Sequence, residues 1–196
     1  MKTTNLFVDF LIIGVLSFLA LAGACYFAGI SKIIEFALTS TKDRALLFPI
    51  GTVTIYVVGI LVNQFADSFL KLLKVPFGLT AIEEAESNLR EEVGVSYHEA
   101  LQKTVMASQS AYDYLSYRRS VIRVFRSLTA LSVVSPFVCL IMVFIGRAFG
   151  NIASWRTVAA FILVTIIVAS FSRQRLVKLQ VGYYEAIVNF YKAGEH

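Results

Sequence analysis

The chain has 196 residues, of which 57% are hydrophobic and only 16% charged, with a mean hydropathy of +0.71 and a formal net charge of +5. A soluble domain carries about a quarter of its residues as charges, so this composition excludes an ordinary soluble globule and points to an integral membrane protein. The basic residues border apolar runs, the pattern that lipid head groups favour, which makes nucleic acid the lesser expectation.

In chain order, the first apolar run extends from Phe10 to Ile30, 21 residues, and flows into further amphipathic sequence. It reads as a retained membrane helix rather than a cleaved leader. The span starts at Leu6, has Asp9 near its beginning, and sets Ala20, Ala24 and Ala28 at successive i+4 positions, a small-residue ridge for close packing. Residues 31–44 are too few for a folded external domain.

The second span runs from Ala45 to about Ala66 and contains Pro49, Gly51 and Gly59. Either its helix begins near Phe48, where a first-turn proline is tolerated, or it bends mildly at Pro49. Near the other end Asn63, Asp67 and Lys71 share one helical face beside Gln64. Asn63, Gln64 and Asp67 are therefore candidates for a polar pore mouth or membrane-edge site. The simpler expectation is that Asp67 lies at the interface and pairs with Lys71 or with arginines.

Two soluble helices follow. Thr80 with Glu83, and Ser96 with Glu99, have the capping-box spacing. The first helix is predicted over Ala81 to Val93, with Gly94 as separator; from Ser96 the chain reads as one helix through to Gly146. Residues 81–99 hold six glutamates against one arginine, whereas residues 100–127 hold one lysine and four arginines against one aspartate. An acidic arm thus precedes a basic helix, which suits docking within the chain or onto a neighbouring protomer. Tyr114, Tyr117, Val121, Val124 and Leu128 follow a three-four spacing, expected to be a packing stripe. Arg118, Arg119, Arg123 and Arg126 form a collar that would bind lipid or other phosphates, or pair with Asp9, Asp67 and the glutamates.

The third span, Leu128 to Gly146, has 19 uncharged residues, about 28 Å of helix and so enough for the hydrocarbon core. Ser135 and Pro136 predict a loosening near its middle. Trp155 fits an interfacial aromatic, the fourth span continues from Thr157 to Phe171, and Leu176, Leu179, Tyr183, Ile187 and Phe190 extend its apolar pattern towards the insert. The expected fold is all-α and polytopic: spans one and two in residues 1–75, a helical cytoplasmic insert in 76–127, spans three and four in 128–172 and a cytoplasmic C-terminal helix in 173–196. With both termini and the insert on one side, that side holds 13 of the 18 Lys and Arg, so it is expected to be cytoplasmic.

No HExxH, glycine-rich phosphate loop, GxSxG elbow or paired His/Cys set occurs. Arg90 and His98 are eight positions apart, outside the Arg-x4-6-His spacing of HEPN ribonucleases. A non-enzyme without cofactor or metal is expected, and Cys25 and Cys139, both in apolar runs, read as small hydrophobes.

In topology the chain resembles large-pore channels of the connexin type, though residues 31–44 and 147–154 lack the cysteines that those families carry in their external loops. The stretches VGILVNQFADSFL and YLSYRRSVIRVFRSL are similar to parts of small bacterial membrane proteins, including accessory membrane proteins of antiphage systems. The resemblance implies a place in antiphage defence; the function expected of the chain is that of an inner-membrane homo-oligomer with a soluble cytoplasmic partner, acting as a pore-forming or membrane-perturbing effector or sensor. The alternatives are a passive platform that recruits a soluble effector, and a small transporter.

Overall fold

The computed structural model describes residues 3–27, 44–72, 80–148 and 154–193. Among them are six helices: α1 (Thr3–Phe27), α2 (Arg44–Leu72), α3 (Thr80–Val93), α4 (Tyr97–Ala107), α5 (Gln109–Ala148) and α6 (Trp155–Ala193). α1, α2, α5 and α6 each contain a stretch long and apolar enough to cross a membrane. Between 17% and 33% of the most apolar window of each is buried within the fold. Large side chains such as Leu19, Val53, Leu61, Phe137, Phe144 and Leu163 are left uncovered.

α5 and α6 have 40 and 39 residues, close to 60 Å at about 1.5 Å per residue. That is twice the roughly 30 Å hydrocarbon thickness of a bilayer, so each helix has an apolar half and a second half, which in α6 packs with α3 and α4 and in α5 with α4. Both cross the boundaries at 127 and 172 without a break. The two lie along each other, α1 and α2 pair and dock on α5, and α3 and α4 cover the other end of α6. We call α3, α4 and the adjoining ends of α5 and α6 the head.

Two apolar clusters hold these parts. In the head, Leu89 of α3, Ala100 of α4, Leu115 and Ile122 of α5, and Leu176, Tyr183 and Ile187 of α6 are buried together with Leu70 of α2. Each fully buried leucine or isoleucine contributes up to about 1.5–3 kcal/mol. At the far end of the bundle, Ala24 packs with Cys139, Val143, Val158 and Phe161. Ala20 is half-buried and Ala28 lies outside the described residues.

The tightest helix approach is elsewhere. A Cβ on Gly14 of α1 would collide with the carbonyl oxygen of Ile55, and one on Gly59 of α2 with that of Phe10. The two glycines let the backbones of α1 and α2 touch, the role small residues take between membrane helices.

The chain departs from its sequence reading at two places, at Ser108 and along the packed face of α5. The helix expected from Ser96 through Gly146 breaks at Ser108, which is extended (φ −150°, ψ 127°). The Ser108 hydroxyl accepts from the Ala111 amide at 3.4 Å, so this serine ends α4 and caps α5. Of the two alternatives at Pro49, a helix start near Phe48 is not the one adopted: α2 starts at Arg44 and runs through Pro49, whose missing N–H leaves free only a first-turn carbonyl. The stripe of Tyr114, Tyr117, Val121, Val124 and Leu128 is not the packed face of α5: Tyr117 is 68% exposed, and the buried positions are Ala111, Leu115 and Ile122. Of the two docking modes that suit the acidic arm, α3 takes one within the chain, packing on α6, where Lys192 meets Glu92 at 2.7 Å.

Candidate functional site

The polar residues of the bundle gather where α1, α2 and α5 meet, at the border between the apolar halves and the head. α5 supplies Ser120, Arg123 and Arg126, whose spacing turns them towards the two neighbouring helices. Arg123 donates to Asp9 of α1 at 3.0 Å, and the Ser120 hydroxyl donates to the same carboxylate. This pair is deep: the side chains of Asp9 and Arg123 are 8% and 15% exposed.

Arg126 reaches the other way, donating to Asp67 at 2.7 Å and to the Asn63 side-chain carbonyl at 3.1 Å. Lys71, one turn on from Asp67, donates to its second oxygen at 2.9 Å. The Nε of Arg126 is buried with no hydrogen-bond partner among the described residues. A cavity of about 200 Å³ opens beside this group, lined by Asp67, Lys71 and Arg126 together with Glu83 and Glu86 of α3 and Gln180 of α6. Bases and acids are mixed there, so the lining selects neither a cation nor an anion.

Of the candidates for a polar membrane edge, Asn63 and Asp67 are thus engaged by Arg126, while Gln64 is exposed on the next face of α2. The four collar arginines separate. Arg123 and Arg126 turn to carboxylates, and Arg119 donates to the Tyr97 hydroxyl at 3.3 Å. Arg118 stacks over the Tyr114 ring, 5.2 Å from its centroid, and reaches the backbone of α6 at Gly182.

Arg119 belongs to a tyrosine cluster in the head, well beyond Phe171. Tyr97 of α4 donates to the hydroxyl of Tyr183 on α6 at 3.3 Å, and its ring meets Tyr184 edge-on at 5.7 Å. Burial pushes the Tyr184 phenol up to about 12, and burial followed by the bond to Tyr97 raises that of Tyr183. Both phenols stay neutral at physiological pH, so the cluster links α4, α5 and α6 through Arg119 without an opposing ion.

Deeper in the bundle the hydroxyls of Ser17, Thr129, Ser132, Ser135 and Ser172 turn back to carbonyls of their own helices at 2.6–2.8 Å. They act there as small packing groups with their polarity satisfied. Among the described residues no group of three or more His, Cys, Asp or Glu is placed to hold a metal ion.

Asp9 is named by the sequence only as a partner for the collar arginines, and Ser120 not at all, although the two meet at the deep Asp9–Arg123 pair. Asp9 carries a signal, as the only charged residue between Leu6 and Ile30. Ser120 carries none, since a lone serine among arginines has no distinguishing spacing. Comparison with protein-family models, curated proteins and solved structures finds no match.

Proposed function

We propose that the chain is an oligomeric four-span membrane protein with its termini and head on the cytoplasmic side of a bacterial inner membrane. The head receives a soluble partner, and the spans respond by perturbing the bilayer. The observation that carries this reading is the continuity of α5 and α6, each rooted in the apolar bundle and each forming part of the head. A partner that shifts the head therefore acts on a lever fixed among the spans. The Asp9–Arg123 and Asp67–Arg126 pairs support the same reading, because they fasten α1 and α2 to α5 at the level where that lever leaves the bundle.

Dye release from reconstituted vesicles tests it. The variant Asp67→Asn with Arg126→Gln removes both charges of the α2–α5 tie together. It should leak faster than wild type at unchanged oligomer size. Equally tight vesicles with both proteins would sink the perturbing activity.

A second reading, a platform that recruits a soluble effector without opening a path, is favoured by one observation: Asn63 and Asp67 are already engaged within the protomer. A platform keeps vesicles tight in both variants and carries its partner down with them on sedimentation. The similarity of two short stretches to antiphage accessory proteins extends the proposal to phage defence; equal plaque counts on cells with and without the chain would remove that extension.

A further inference from the structure

In the head, α3 and α6 lie side by side and run in the same direction. Ile82 lines one cavity with Leu176 and Gln180 near the start of α3, and Glu92 is joined to Lys192 near its end. Along this pair the two helices leave a groove of about 550 Å³. It follows α3 from Ala81 to Glu92, about 16 Å at the helical rise. On the facing wall the groove begins at Val181, about 15 Å along α6 beyond Phe171 and the end of the apolar stretch. The groove therefore belongs to the head and stands clear of the apolar bundle.

Its floor is apolar and its lips are acidic. Leu89 and Val188 are buried at the floor, and Ala81, Ala85 and Val181 add short side chains that leave it unfilled. Glu84 and Glu92 of α3 and Glu185 of α6 are exposed along the lips, with Asn88 and Asn189 beside them. Lys192 is joined to Glu92. Among the described residues no cation lies within ion-pair distance of Glu84 or Glu185. Nor are the three carboxylates grouped so as to hold one metal ion. They address cations that are spaced apart, as lysine and arginine side chains are along a peptide. A helix with an apolar ridge between basic flanks fits both features, since the ridge fills the floor while the flanks meet the lips.

We propose that the groove between α3 and α6 is the docking site for a basic amphipathic helix of a soluble cytoplasmic partner. The proposal deepens the reading of the head as the receiver of such a partner, and rests on it. A helix seated against Val181 and Val188 lies on α6 itself, the element that continues unbroken into the apolar bundle.

The experiment uses the full chain in phosphatidylcholine nanodiscs, with binding to protein-free nanodiscs subtracted. The probe is a fluorescein-labelled synthetic helix of alanine, leucine and lysine, about 18 residues long so that it outreaches the groove, read by anisotropy. It should bind saturably, whereas the same peptide with glutamate in place of lysine should not. A scrambled peptide of equal composition but no apolar face should bind about tenfold more weakly. Glu84→Gln and Glu185→Gln should each weaken binding about threefold, the effect of one exposed charge, while Glu99→Gln, on the half-exposed Glu99 of α4 outside the groove, leaves it unchanged. Ala85→Phe keeps every charge but puts a ring in the unfilled space, and should weaken binding about tenfold or more. An equal fall with Glu99→Gln, or equal binding of the scrambled peptide, would mean a diffuse acidic field and overturn the groove. So would an unaffected Ala85→Phe, or a lysine peptide that does not bind. A peptide that binds in the groove while the vesicles of the dye-release test stay tight would support the docking site and sink the perturbing activity alone.

Discussion

Asp9 and Asp67 each meet an arginine of α5, yet their side chains are 8% and 42% exposed, and that difference decides what each pair is worth. A carboxylate removed from a buried pair leaves its partner's charge in a poorly solvated place, at about 3–5 kcal/mol. At a half-exposed pair water takes over much of the role, and the cost falls to about 1 kcal/mol or less. Asp9→Asn should therefore destabilise the fold by about 3 kcal/mol, and Asp67→Asn by no more than about 1 kcal/mol, measured by thermal unfolding in one detergent. Adding Arg123→Gln to Asp9→Asn should cost less than the sum of the single changes, because the second charge no longer lacks its partner. Equal losses at the two aspartates would contradict the burial difference. The sequence marks Asp67 and Asn63 as polar groups near the end of an apolar run. It does not reveal that Asp9 is the deeper of the two acids, because depth depends on which helix lies beside it.

The helices themselves were largely legible, since long apolar runs and a capped polar insert need only local information. Their joins were not. Ser108 ends one helix and caps the next with neither glycine nor proline nearby, and serine is common enough inside helices that the residue alone does not signal a break. The sequence points to the wrong face of α5 because Tyr114 and Tyr117 have the right spacing for a stripe, while the buried positions are the smaller Ala111 with Leu115 and Ile122. Size also hides the crossing of α1 and α2. Alanines at i+4 draw attention in α1, but the close approach is made by Gly14 and Gly59, on different helices. Gly14→Ala and Gly59→Ala should each cost about 1–3 kcal/mol, because the obstructing atoms are backbone and cannot rotate away. Gly51 has open space around it, so Gly51→Ala in the same α2 should be neutral or stabilising by about 0.5–1 kcal/mol. Unfolding of the three variants side by side checks this. A stabilised Gly14→Ala would show that the two helices are free to separate.

At the scale of the whole molecule, the all-helical architecture and four apolar helices follow from composition and run length, while the direction of the chain across a membrane rests on charge alone. Thirteen of the 18 Lys and Arg fall at the termini and in residues 71–127. The fold adds a physical reason for keeping those parts on one side. α3 packs on α6 and Lys192 near its end meets Glu92, so the insert and the C-terminal part of α6 form one body, which in the proposed topology lies on one side. α1 begins at the same border, with Asp9 joined to Arg123. An odd number of crossings between these parts would tear the head apart. With Cys25 and Cys139 replaced by alanine, Ser87→Cys on the exposed side of α3 should react with a membrane-impermeant maleimide only after the cells are opened. Ser40→Cys, between α1 and α2 in sequence, should react in intact cells. Because cytoplasmic placement of lysine and arginine sets orientation, moving the excess should move the label: replacing Lys32, Lys42 and Arg44 with glutamine should leave this pattern unchanged, whereas neutralising cations of the head should raise labelling of Ser87→Cys in intact cells. Labelling of Ser87→Cys in intact cells without any such change, and protection of Ser40→Cys, would invert the molecule.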